Sequence, residues 1–143
     1  MNLPSTPCTC AMLRRTTRGV TQIYDQALRP IGLRLTQYSV LAQVARNQGL
    51  NISALAQRLA MDRSTLTRNL RPLERAGWIR NGPGADHRQR AVELTLSGRA
   101  KYVEALPLWE AAEREFRRTM GGADVAALRD LLDHAYRRVA DRV

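Results

Sequence analysis

The sequence has no unbroken apolar run of the roughly 18 residues that begin to span a bilayer, and residues 1–7 lack the basic-then-apolar layout of a secretory leader. A cytoplasmic protein with no membrane partner is expected. Cysteine is scarce: Cys8 and Cys10 are the only two, and in a reducing compartment they would not build a disulfide framework. Lysine is nearly missing, since Lys101 is the single lysine among 23 basic residues. An arginine bias of that kind is what a GC-rich genome produces, so the placement of charge carries more information than its amount. There is no glycine-rich phosphate loop, no HExxH, no CxxC and no convincing nucleophile–base constellation. No enzyme activity, cofactor or resident metal is therefore expected. No internal repeat interrupts the reading.

What is present is 143 residues, 44% of them hydrophobic, enough for one ordinary core and one domain. The formal net charge of +10 favours a polyanionic partner. Residues 1–35 carry five arginines against Asp25, and residues 36–60 carry Arg46 and Arg58 with no acid. From 61 to 95 seven arginines face four acids, whereas from 96 to 143 nine basic residues nearly balance eight acids. The excess lies in the first two-thirds.

Apolar spacing predicts a first helix over residues 11–28, with Met12, Val20, Ile23, Tyr24 and Leu28 on one face, stopped by Pro30 and Gly32. A second helix is expected with Thr36 as its cap and Val40, Leu41 and Val44 inward. A short third helix begins at Ser53, followed by a turn at residues 60–62. Asp62 then caps a fourth helix running to about Ala76, with Leu66, Leu70 and Leu73 as its buried stripe and Gly77 as its stop. Residues 78–80 and 91–96 read as strands, with Val92, Leu94 and Leu96 alternating against Glu93 and Thr95. The glycine-rich, basic stretch 81–90 joins them as a wing-like hairpin. Ser97 is expected to cap a long helix in which Pro107 threatens a kink. After Gly121 and Gly122, a last amphipathic helix carries Val125, Leu128, Leu131, Leu132, Tyr136 and Val139.

This order is that of a winged helix-turn-helix, mainly α with a small β-hairpin. A helix that reads base edges in the major groove needs short hydroxyls and guanidinium forks near its N-terminus. Ser64, Thr65, Thr67 and Arg68 supply them. Arg63 and Arg71 are placed to meet phosphates, as is Ser53 at its own helix start. In the hairpin, residues 86–90 form a basic tip where Arg88 is the candidate for minor-groove insertion, Asp86 braces it, and Arg90 adds charge. A solvated surface helix and a merely soluble loop are the alternatives for each segment taken alone; their succession within forty residues favours DNA.

The stretches Leu55 to Leu59, Met61 to Arg68, Leu73 to Ile79 and Asp86-His87-Arg88 resemble the winged-helix core of the MarR family, and the flanking helices fit as well. The resemblance implies terminal helices that interlock two chains: residues 1–35 and 97–143 for dimerisation, and 36–96 for DNA binding. It implies a homodimeric transcription regulator, most often a repressor, that binds a palindromic operator in double-stranded DNA and is released by a small ligand or an oxidant. A nonspecific or architectural DNA-binding protein is the alternative. His87 stands where the family often has proline after the wing aspartate.

Cys8 and Cys10 admit three readings. Arg14, Arg15 and a helix N-terminus favour a thiolate that reacts with oxidant or binds soft metal, and two small residues packing against a partner is the third. Two thiols are too few for a closed zinc site. His87 and His134 read as surface residues. Tyr24, Tyr38, Tyr102 and Trp109 are candidates to line an effector pocket, although aromatics at helical spacing also form core.

Overall fold

The structure, a computed structural model, describes residues 7–83 and 90–142. Helix α1 (Thr9–Leu28) ends in a 3₁₀ turn (Arg29–Ile31), and α2 (Leu35–Arg46), α3 (Ile52–Arg58) and α4 (Arg63–Arg75) follow. Strands β1 (Ile79–Pro83) and β2 (Arg90–Leu94) precede the long α5 (Leu96–Met120) and α6 (Gly122–Ala140). This is the expected fold class. The strands pair antiparallel, with Ile79 opposite Leu94 and Pro83 opposite Arg90. The other edge of β2 is held by Leu50, whose carbonyl accepts the Val92 N–H at 2.9 Å, so the hairpin is fixed to the start of α3.

The core lies between α2, α3, α4 and the hairpin. Leu28, Val40, Leu41, Leu55, Leu66, Leu70, Leu73, Ile79 and Val92 are all buried in it. The three leucines of α4 occupy one stripe, as their spacing requires.

Helix starts correct the sequence reading. Thr36 does not cap α2: the helix begins at Leu35, whose N–H is taken by the Asp25 carboxylate at 2.7 Å. Asn51 caps α3, accepting the Ala54 N–H at 2.8 Å, so the helix begins at Ile52 and the expected first residue, Ser53, sits exposed in the first turn. Thr95, not Ser97, caps α5 by accepting the Gly98 N–H at 3.0 Å. Leu96 consequently begins a helix instead of ending a strand, and is 90% exposed. Pro107 leaves α5 continuous.

Two helix ends share one geometry. At the end of α3 the Met61 N–H reaches the Ala56 carbonyl at 2.9 Å, with Ala60 at φ 52°. At the end of α4 the Trp78 N–H reaches Leu73 at 3.0 Å, with Gly77 at φ 73°. Both are left-handed terminations that close the last carbonyls. The first makes the tight turn between α3 and α4.

Candidate nucleic-acid interface

Asp62 organises the N-terminus of α4. One carboxylate oxygen accepts the Thr65 N–H at 2.8 Å and the Ser64 hydroxyl at 2.6 Å, and the other accepts the Thr65 hydroxyl at 2.6 Å. These bonds from Ser64 and Thr65 hold its carboxyl well below the usual carboxylate range. The Thr67 hydroxyl donates to the Arg63 carbonyl at 2.8 Å. All three hydroxyl protons are thus used within the helix. Ser64 and Thr67 are exposed and Thr65 is half-buried, so their hydroxyl oxygens can still accept from base amino groups but present no free hydroxyl proton in this arrangement.

Opposite the buried leucine stripe, Ser64, Arg68, Arg71 and Arg75 follow one another at helical spacing, and all four are exposed. Arg63 and Thr67 flank them, also exposed. Arg75, which is not among the residues expected to contact DNA, belongs to this face; the spacing from Arg68 and Arg71 was the available signal.

At the base of the hairpin Arg80 pairs with Glu93 at 3.4 Å. The Glu93 carboxylate covers Gly82 closely enough that a Cβ there would lie 2.2 Å from its Cδ. Arg90 is exposed at the start of β2. Asp86, His87 and Arg88 lie outside the described residues.

The hairpin is tied to α5 by close backbone contact. The Thr95 N–H donates to the Trp78 carbonyl at 3.0 Å and its hydroxyl to the Gly77 carbonyl at 2.5 Å. Lys101 reaches the Ile31 carbonyl at 3.1 Å, pairs with Glu104 at 2.9 Å and lies 5.4 Å from the Trp78 ring centroid. The chain's one lysine therefore joins α5 to the turn before α2 and to the entry of the wing.

The four candidate pocket aromatics do come together. Tyr38 stacks on Trp109 at 5.5 Å and on Tyr102 at 6.0 Å, and Tyr24 lies 6.5 Å from Trp109. Tyr38 is buried, and burial, with smaller contributions from its surroundings, pushes its hydroxyl up to about 12. Only Tyr24 opens onto a sizeable groove of about 650 Å³ between α1, α5 and α6, walled by Met12, Leu13, Val20, Phe116, Val125 and Leu132 among others. On its floor the Tyr24 hydroxyl donates to Glu113, which pairs with Arg129. Burial, then the bond to Glu113, raises the Tyr24 pKa far above the phenol range. Sequence reasoning missed this triad, because nothing local links residues 24, 113 and 129.

Cys8 immediately precedes α1 and Cys10 lies in its first turn; both are exposed free thiols. Among the described residues no cluster of three or more His, Cys, Asp or Glu could hold a metal ion, and no helix is long and apolar enough to cross a membrane.

A profile of the MarR family matches residues 31–90, the stretch from the first turn to the far side of the wing. The DNA complex of the transcriptional regulator MosR from M. tuberculosis is 39% identical and superposes with a TM-score of 0.82, covering 96% of this chain and 100% of that one. CouR from Rhodococcus jostii RHA1, solved with p-coumaroyl-CoA, is 27% identical with a TM-score of 0.73 over 85% and 86% of the two chains. The transcriptional regulator SarZ of Staphylococcus haemolyticus is 31% identical over 90 residues, which are 62% of this chain and 61% of SarZ.

Proposed function

Because this chain belongs to the MarR family and is a sequence-specific DNA-binding transcriptional regulator, we propose that it acts as a homodimeric repressor on a palindromic operator. The observation that carries this reading is α4 itself, with its N-terminus locked by Asp62, its leucines buried and its arginine face open to solvent. Arg68 reads a base edge, Ser64, Thr65 and Thr67 accept from bases, and Arg63, Arg71 and Ser53 meet phosphates. Arg90 and Arg88 extend the contact along the wing, with Asp86 as the brace.

Release is assigned to the α1/α5/α6 groove. Its apolar walls and the Glu113–Arg129 pair suit an amphipathic small molecule, and the ligand complex of CouR supports an effector of that general kind. Oxidation is the second route: Cys8 and Cys10 flank Thr9, a residue of the groove wall, so a change at either thiol acts on the same helix. Both routes would shift the population of dimers whose two reading helices are correctly spaced.

The test is a mobility-shift titration on a duplex from upstream of the chain's own gene and on a random duplex, at fixed salt, with and without peroxide. Arg68→Ala is expected to lower affinity for the specific duplex by tenfold or more, roughly the 1–3 kcal/mol of a good base contact, while Arg88→Ala weakens both duplexes. Equal binding by wild type and both variants would refute the residue roles. Binding unchanged by peroxide in the wild type would remove the thiol route.

A further inference from the structure

We propose that the DNA-contacting surface continues beyond α4 onto the start of α2, where Arg34, the residue just before the helix, holds a backbone phosphate of the strand flanking the groove that α4 reads. This rests on the reading of α4 as a DNA-reading helix. Arg34, Thr36 and Gln37 face Arg68, Asn69 and Pro72 across a cleft of about 250 Å³. Of the six, only Pro72 is apolar, so the cleft offers little to an organic ligand. It offers much to a compact anion.

Both arginines are exposed, and among the described residues neither has an acid within ion-pair distance: the paired cations are Arg80, Lys101, Arg118, Arg129 and Arg137. Two guanidinium groups lining one cleft repel each other until an anion lies between them. Asp25, which lines a neighbouring cleft with Arg34, is already engaged with the Leu35 N–H at 2.7 Å. Gln37 is likewise engaged, accepting the Arg34 N–H at 3.0 Å. What this end of α2 presents to the cleft is therefore the Arg34 side chain, with the exposed Thr36 beside it, and not its helix terminus.

Position selects the phosphodiester over a base. Arg34 stands beside the reading helix, not on its outward face, and α2 packs across α4 through the shared core. When α4 lies in a major groove, a residue at its flank meets the sugar–phosphate wall. Such a contact fixes register and adds affinity without adding sequence preference.

The experiment measures affinity for the own-gene upstream duplex and for a random duplex of equal length across a salt series. It compares wild type, Arg34→Ala, Arg34→Gln and Arg46→Ala, the last removing an exposed arginine at the opposite end of α2. Arg34→Ala and Arg34→Gln are expected to weaken both duplexes by about tenfold and to make the log-affinity against log-salt slope shallower by about 1 for each protomer bound. Arg46→Ala should leave the slope unchanged. Wild-type slopes in the Arg34 variants, loss on one duplex alone with the slope intact, or an equal change from Arg46→Ala would overturn the assignment. Wild-type protein that bound neither duplex would overturn the DNA reading and this inference with it, so the two failures are told apart.

Discussion

At Asp62 two hydroxyls and a backbone N–H converge on one carboxylate, so the residue that starts the reading helix also orients the side chains proposed to read DNA. Its pKa is depressed, and the sign of the pH effect follows. The stability it contributes is complete above the ordinary value of 3.8 and is lost only as pH falls through the lower folded value. Asp62→Asn keeps one acceptor but loses the second charged oxygen. Urea denaturation of wild type and Asp62→Asn is therefore expected to show a constant gap from pH 8 to 5 that closes below about pH 4. A gap that closed near pH 6 would mean that another group is responsible. Asp62 was legible in the sequence because an aspartate directly precedes its helix. Ser97 misled because Thr95, also a competent cap, stands two residues earlier. Thr36 misled because the acceptor for α2 is Asp25, ten residues away and brought there by the turn at Arg29–Ile31.

Among elements, the junction of α4, the hairpin and α5 shows how one residue type serves two physical ends. Gly77 has open space around a would-be Cβ but sits at φ 73°, so its cost to alanine is backbone strain alone. Gly98 is in α5, where a Cβ would lie 1.8 Å from the Trp78 carbonyl oxygen. Gly77→Ala is expected to destabilise by about 1–2 kcal/mol. Gly98→Ala should cost about 3 kcal/mol despite alanine's better helix propensity, because α5 must move off the strand entry. Urea midpoints measure both, and a Gly98→Ala protein as stable as wild type would show that the junction yields easily. The helix-turn-helix and hairpin were legible because apolar period, turn residues and caps agree there. This junction was not, since a glycine within a helix carries no sign of the carbonyl opposite it.

For the whole molecule, the two ends of the chain leave apolar surface that one protomer does not cover. Met12 and Leu13 on α1 are 47% and 46% exposed, and Leu131, Tyr136 and Val139 on α6 are 67%, 56% and 60% exposed. The amphipathic face of α6 was legible in the sequence, but its exposure was not, because the apolar period does not tell whether the face packs into the same chain's core. Lys101, Thr95 and Gly98 bind α5 to the DNA-reading half, so displacement of α5 by a groove ligand or a second subunit would carry α4 with it. If a second copy covers these faces, burying each large side chain contributes about 1.5–3 kcal/mol. Replacing Leu131 by Asp removes that contribution in both subunits and adds a charge to be desolvated. The dimer dissociation constant should rise by at least 100-fold, because two losses of 1.5 kcal/mol already amount to two factors of ten. Sedimentation velocity would then show monomer at concentrations where the wild type is dimeric. Operator titration curves would steepen, since two monomers would have to assemble on the DNA. A Leu131→Asp protein that stayed dimeric with unchanged titration curves would place the subunit contact elsewhere, and with it the spacing of the two reading helices.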